Sequence, residues 1–158
     1  MATVFKPVYA SVATLTCTLN SLASAGARQS TVVDNTTNLY LDALVAGTFK
    51  TAAGTLGVSA VVSLYVYALS DGAAYTDGAT GSDAAFTLPT TPNLILLRQI
   101  SVNTAAVAVA CSPASIALAF GGTLPQKWGM VVVNNTGLAL DASAGGTLSF
   151  IGINAQGV

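Results

Sequence analysis

The chain alternates apolar and polar residues along much of its length, and one such pattern occurs twice. Residues 32–43 read VVDNTTNLYLDA, and residues 132–142 read VVNNTGLALDA. In each copy, residues with a period of two flank an Asn-Thr segment with turn chemistry, which predicts a β-hairpin. Asn38 and Gly137 hold matching places, and both residue types adopt a left-handed backbone at low cost. We therefore expect two similar hairpins whose turns end in that conformation.

The apolar residues that follow each turn share one face of the predicted strand. Because side chains alternate between the two sides of a strand, we expect this face to lie in the core. Asp42 and Asp141 point the other way, so we expect them to serve the turns or the surface. The two predicted core faces consist of Leu39, Leu41 and Ala43 in the first copy and Leu138, Leu140 and Ala142 in the second.

Alternation also predicts strands outside the repeated segments, whereas helical signals are rare. The further strands are expected at residues 11–19, 58–69, 94–103, 104–111 and 147–155. The run SPASIALAF at residues 112–120 predicts the one helix. Ser112 suits its N-cap and Pro113 its first position, while Gly121 and Gly122 can end it.

These elements predict a single all-β domain over residues 1–158, with residues 1–7 as an extended N-terminal arm. About eight antiparallel strands and one short helix are expected. Two similar hairpins far apart in the chain are typical of a double Greek key. We therefore favour a jelly roll over a plain immunoglobulin-like β-sandwich.

Composition adds that the surface carries unusually few charges. Only 7% of the residues are charged, against about 25% in a typical soluble domain, while 53% are hydrophobic. No run approaches the ~20 apolar residues that a membrane-spanning helix needs. We therefore expect no membrane partner and expect other protein subunits to cover much of the surface.

The charged residues also limit the classes of ligand. The net charge is −1, and the five cations Lys6, Arg28, Lys50, Arg98 and Lys127 are spread singly along the chain. A nucleic-acid backbone is usually bound by a basic patch or stripe, so we expect no direct contact with nucleic acid.

Catalytic residue types are scarce. The chain has no histidine and no glutamate, which excludes a Ser-His-Asp triad and most general-base arrangements. We therefore expect neither an enzyme nor a cofactor. Cys17 and Cys111 lie within apolar alternation, so two free core thiols are favoured over a disulfide between their strands.

One acidic cluster is a candidate metal site. Asp71, Asp77 and Asp83 recur every six residues in DGAAYTDGATGSD, and oxygen-rich loops of this kind can bind calcium. The one-three-five ligand spacing of an EF-hand is absent. The weak calcium site therefore competes with a solvated, mobile loop that simply carries charge.

Two segments of the chain resemble a known protein family. They are SAGARQSTVVDNTTNLYLDALV at residues 24–45 and SIALAFGGTLPQKWGMVVVNNTGLALDASAGG at residues 115–146. Both are similar to small structural proteins found beside the major capsid protein of short-tailed bacteriophages. The resemblance does not cover residues 50–93, and the family has no catalytic residues to carry over.

The resemblance implies a jelly-roll cement, or decoration, protein of the virion. Such a protein binds the exterior of an icosahedral capsid, contacts the major capsid protein, clamps neighbouring capsomers and acts as a dimer or trimer. We expect the contacts to come from the arm, residues 20–30 and residues 70–93. The candidate contact residues are Lys6, Arg28, Gln29, Tyr75 and Trp128.

A second function stays open at the level of sequence. Jelly rolls also serve as receptor- or glycan-binding modules of phage tail fibres and head fibres, and a fold does not decide a function. Tyr65, Tyr67 and Tyr75, beside the acidic loop, are the candidate aromatic platform for a sugar.

Overall fold

Two antiparallel β-sheets pack face to face in the computed structural model of the chain, which describes residues 4–157. The first sheet contains β1 (Phe5–Tyr9), β2 (Ala13–Leu15), β5 (Asp42–Phe49), β9 (Val109–Ser115) and β11 (Gly146–Gly157). The second sheet contains β3 (Ala27–Gln29), β4 (Val33–Asp34), β6 (Val61–Ala68), β7 (Ala84–Phe86), β8 (Ile95–Ser101) and β10 (Lys127–Asn135). A short helix, α1 (Ile116–Ala119), and a 3-10 turn at Thr76–Gly78 complete the elements of this part of the chain.

The order of the strands is that of a jelly roll. The first sheet runs β1–β11–β5–β9, with β2 beside β11, and the second runs β7–β3–β10–β6–β8, with β4 beside β10. If β1 with β2 and β3 with β4 each count as one interrupted strand, two four-stranded sheets remain, with β7 as an extra edge strand. The chain then passes between the sheets as two interlocked Greek keys, which confirms the predicted all-β jelly roll.

The main core lies between the two sheets. Trp128 of β10 is 0% exposed and meets Phe150 of β11 edge to face, with ring centroids 5.5 Å apart. Phe49, Leu64 and Leu148 are buried around them. This arrangement follows from the alternation of the strands, since every second residue of each strand points into the space between the sheets.

A second apolar cluster lies on the outer face of the second sheet. Tyr67, Val131 and Val133 are buried there beneath residues 70–93, which contribute Ala79 and Phe86. This long segment therefore folds over its own sheet instead of forming only a solvated loop. As a result, the chain itself covers the side of the second sheet that faces away from the main core.

The two repeated segments are crossovers between the sheets, so the prediction of two hairpins was wrong. β4 pairs with β10 whereas β5 pairs with β11 and β9, and β10 and β11 likewise belong to different sheets. The strands that flank each turn form their hydrogen bonds with other strands rather than with each other. The Asn-Thr turns therefore lie where the chain crosses from one sheet to the other.

The side-chain faces predicted for these segments are only partly correct. Gly137 has the expected positive φ of 84°, but in the first segment Leu39, not Asn38, is left-handed, with a φ of 51°. Ala43 and Leu140 are buried, whereas Leu39 and Leu41 are 70% and 59% exposed. The alternation fails because the chain leaves the sheet between β4 and β5, where strand periodicity no longer sets the direction of side chains.

The predicted helix begins later than expected. Ser115, not Ser112, is the N-cap of α1, and its hydroxyl accepts a 3.0 Å hydrogen bond from Leu118 N. Ser112 and Pro113 belong to β9, at a shift of register opposite β5. Because β9 is an edge strand with a bulge there, the missing N–H of Pro113 leaves no ladder bond unmade.

Candidate functional site

A two-stranded ribbon extends beyond the first sheet. β5 begins at Asp42, opposite Ile153, so residues 154–157 of β11 pair only with β1. All five residues of β1 are exposed. A two-stranded ribbon buries little surface and is marginally stable by itself, so packing against another surface would stabilise it.

The outer side of this ribbon continues the outer side of the first sheet. Leu148, Phe150 and Gly152 are the buried, inward residues of β11, so the residues between them face outward. Residues paired across an antiparallel ladder share a face, which places Tyr9 beside Ile153 and Leu44 beside Ile151. We call this surface the outer apolar face, formed by Phe5, Pro7, Tyr9, Leu44, Ile151 and Ile153.

The outer apolar face is exposed mainly at its β1 end, whereas Leu44, Ile151 and Ile153 are half-buried. Phe5 and Tyr9 are 71% and 60% exposed. Farther along the same side, Thr48 and Thr147 share a 2.9 Å hydrogen bond between their hydroxyls, so the sheet surface becomes hydroxyl-rich. An exposed apolar surface bordered by polar residues is typical of a protein–protein contact.

Pro7 limits how another molecule can use the ribbon. Ala10 N donates to Gly152 O, so alternate residues of β1 turn their backbone groups toward β11 while Pro7 faces the free edge. Proline has no N–H to offer an additional strand, and proline on an edge strand hinders edge-to-edge pairing. The surface is therefore suited to contact through its side chains.

The five predicted contact residues do not form one surface. Lys6 is exposed on the inward side of the ribbon, opposite Gln156. Arg28 is half-buried and bonded to Asp83. Tyr75 is also half-buried and meets Tyr67 edge to face, with centroids 5.6 Å apart.

Trp128 and Gln29 were predicted as contact residues, but both are buried inside the domain. Trp128 is 0% exposed in the core, because β10 is the central strand of its sheet. Gln29 is 2% exposed, and its side-chain amide both donates to Thr80 Oγ1 and accepts from Thr80 N. Both side chains hold the domain together and are not available to a partner.

Asp83 closes one open side of the sandwich. It accepts hydrogen bonds from Arg28 Nε on β3 and from both the N–H and the hydroxyl of Thr18, which follows β2. Arg28 pairs with Val132, a core residue, so its side chain points inward between the sheets. Burial works to raise the pKa of Asp83, but the hydrogen bonds from Arg28 and Thr18 outweigh it, and the pKa lies below its usual value.

The three aspartates of the acidic segment lie apart and act separately. Asp71 accepts from the N–H groups of Ala73 and Ala74, and Asp77 binds the backbone and side chain of Asn93. Within residues 4–157, no three acidic, cysteine or histidine side chains form a group that could hold a metal ion. The even spacing of the three aspartates thus does not bring them together as a calcium site.

Both cysteines are free thiols, at opposite sides of the sandwich. Burial raises the pKa of Cys17 to about 12 and also raises that of Cys111. Thiols with raised pKa values are protonated and poorly nucleophilic at neutral pH, which suits a packing role.

The outer apolar face is a candidate contact surface that sequence reasoning missed. Its signal was the alternation of Phe5, Pro7 and Tyr9, which marks a strand where the sequence predicted an arm that ended at residue 7. Residues 1–3 of that arm lie outside the described residues.

Comparisons with known proteins assign no family to the chain. No protein-family model, no curated protein and no solved structure matches it significantly. Among the helices formed by residues 4–157, none has the length and apolar character needed to cross a membrane.

Proposed function

We propose that this protein is a structural component of a bacteriophage virion, a cement protein that binds the exterior of the capsid and stabilises contacts between capsomers. The observation that carries the proposal is the outer apolar face, with its exposed β1 end and projecting ribbon. The family resemblance of residues 24–45 and 115–146 supplies the kind of partner, the major capsid protein.

The shape of the outer apolar face supports a permanent contact with protein. A sheet surface that carries Phe5, Tyr9 and Ile153 can bury aromatic and aliphatic area against a second surface, which is where most binding energy at interfaces arises. Repetition of one such contact over a lattice adds avidity, so each copy can bind modestly and still stabilise the shell. A ligand that binds only the assembled shell stabilises it by mass action.

The distribution of charge supports the same partner class. Arg28, Lys50 and Lys127 are each paired with an aspartate of the chain, which leaves little free positive charge for nucleic acid. With no histidine or glutamate in the sequence, the proposal includes no catalytic step and no cofactor.

The glycan-binding alternative has less support. Tyr67 is 0% exposed and Tyr75 packs against it, so this pair does not present a free aromatic platform to a sugar. Stacking on a sugar needs an exposed aromatic face beside polar groups.

The test is binding to purified shells that lack the protein. A Phe5→Ser, Tyr9→Ser double variant should lose most co-sedimentation with shells, and a Val58→Ser variant, at a residue that is 100% exposed elsewhere, should bind like the wild type. Equal binding by the wild type and the double variant would contradict the assignment of the outer apolar face. No binding by the wild type to any shell would contradict the proposed function.

A further inference from the structure

A groove lies at the other open side of the sandwich, between β8 and β9. These are the edge strands of the two sheets, opposite the edges formed by β1 and β7. The groove has a volume of about 380 Å³, and Leu97, Pro113, Leu118 and Ala119 contribute its apolar walls. Leu118 is 78% exposed there, so α1 presents an apolar side chain to whatever enters.

Arg98 lines the same groove and points toward the space between the sheets. It pairs with Leu64, a buried core residue, and residues paired in a ladder share a face. The register of β6 and β8 shifts next to this pair, and a shift of this kind redirects side chains at a sheet edge. The strand geometry therefore directs a guanidinium group into this groove.

The guanidinium group of Arg98 has no acidic partner among residues 4–157. None of the three ion pairs in this part of the chain includes it. Its Nε is buried and has no hydrogen-bond partner within the described residues. A buried donor without a partner costs about 1–3 kcal/mol. The buried Nε is itself closed to a ligand, so an incoming carboxylate would bind the terminal nitrogens of this guanidinium, whose charge none of the described ion pairs neutralises.

Arg28 shows how such a group is satisfied at the opposite side. It too points inward from an edge region of the second sheet, and Asp83 accepts a hydrogen bond from its Nε. The chain has only two arginines, so the two open sides of the sandwich carry one each. At the other open side, no aspartate among the described residues takes the place beside Arg98 that Asp83 takes beside Arg28.

We propose that the groove between β8 and β9 binds a carboxylate side chain, Asp or Glu, carried by an apolar segment of a partner protein, with Arg98 as the anchoring residue. The planar fork of a guanidinium matches a carboxylate in two parallel hydrogen bonds, and the apolar side chains of the groove flank the pair. Leu118 and Pro113 contact the residues that flank the acid. This site goes beyond the proposed function, because it specifies a second contact on a different side of the domain.

The test follows the two arginine Nε–H signals by NMR in protein labelled with ¹⁵N-arginine. An Arg98→Lys variant assigns the signals, and Arg28 serves as the internal control because its Nε is already bonded to Asp83. The probe is the blocked peptide acetyl-Leu-Asp-Leu-amide, titrated into the millimolar range because a single anchored contact binds weakly. The matched control is acetyl-Leu-Asn-Leu-amide, which has the same shape without the charge.

The expected result is a saturable shift of the Arg98 signal with the acidic peptide, no shift of the Arg28 signal and little effect of the amide peptide. A Leu118→Ser variant should weaken the shift, whereas Val107→Ser, at a residue 52% exposed and outside the groove, should not. An absent shift would overturn the proposal. It would also be overturned if phosphate moved the Arg98 signal as strongly as the acidic peptide, because the apolar walls would then contribute nothing.

Discussion

The ion pair between Arg28 and Asp83 is linked to the first sheet through Thr18, at one side of the sandwich. Arg28 lies on β3 of the second sheet, and Asp83, just before β7, accepts from it and from Thr18 of the chain segment that follows β2. The side chains of the pair are only 26% and 16% exposed, so solvent screens their interaction less than it would a surface ion pair. One carboxylate thus fixes the position of three segments.

Replacement of Asp83 by Asn should destabilise the domain by about 1–2 kcal/mol, because Arg28 would keep a neutral acceptor but lose its counter-charge. Denaturant unfolding monitored by the fluorescence of Trp128 measures this change. Asp71→Asn is the control, since Asp71 is exposed and accepts only local backbone hydrogen bonds. Equal losses of stability in the two variants would contradict the role of Asp83.

Gly129→Ala should destabilise the fold by about 1–3 kcal/mol through overpacking. A Cβ at Gly129 would overlap the ring of Tyr67, which is held in place by a 2.8 Å hydrogen bond from its hydroxyl to Ser30 O. Gly57→Ala is the matched control, because its nearest contact would be 3.3 Å away. The two midpoints of unfolding in urea provide the comparison, and unchanged stability of Gly129→Ala would show that this contact can relax.

The two crossovers share one hydrogen-bonded turn, and their variants should differ in cost because of burial. Thr36 donates its N–H and hydroxyl to Asp34 Oδ1 at 2.9 and 2.6 Å, and Thr136 donates to Asn134 Oδ1 at 3.2 and 2.8 Å. Asn134 is 0% exposed and also donates to two carbonyl oxygens, at Leu22 and Leu138.

Asn134→Ala should therefore cost about 3 kcal/mol, since it leaves buried carbonyl groups without donors. Asp34→Ala should cost clearly less, because Asp34 is exposed. Thermal unfolding of the two single variants measures the two losses of stability for comparison. A larger loss for Asp34→Ala would mean that the exposed crossover, and not the buried one, limits stability.

Stability should be nearly constant from pH 5 to 8 and should fall as the pH drops from about 4 to 2, which is the range in which aspartates with lowered pKa values take up protons. Hydrogen bonds from Thr36 lower the pKa of Asp34 to about 2, and those from Ser143 and Ala144 do the same for Asp141. The pKa of Asp83 is also lowered.

Stability falls at low pH because a carboxylate whose pKa is lowered on folding stabilises the fold above its unfolded pKa. This stabilisation is lost as the carboxylate is protonated. The chain has no histidine to titrate near pH 6.5. Melting temperatures measured from pH 2 to 8 test this, and a transition centred near pH 6.5 would contradict it.

Much of the architecture could be predicted from the sequence, because strand periodicity is a local property. Residues 58–69 contain β6, and residues 147–155 lie within β11. Each repeated segment contains a turn, as predicted, at one of the places where the chain crosses between the sheets. Their partners were predicted wrongly, because hydrogen bonds to β10 and β11 depend on residues far away in the sequence.

Contact residues were harder to predict, because burial depends on the position of a strand in its sheet. Trp128 reads as an interface anchor until β10 is known to be a central strand. Phe5 reads as part of an arm, and Tyr9 lies outside every predicted strand, until β11 is seen to extend past β5. Arg98 is the single charge in the predicted strand at residues 94–103, but the groove that it lines is formed by two strands from different sheets.

The number and position of copies on the intact particle test the account most directly. Cryo-electron microscopy of the source virion should show the jelly roll on the outside of the shell at every equivalent lattice position, with Phe5 and Tyr9 turned toward the major capsid protein. A few copies confined to a tail or a fibre, or a lattice of copies whose outer apolar face points to solvent, would contradict it.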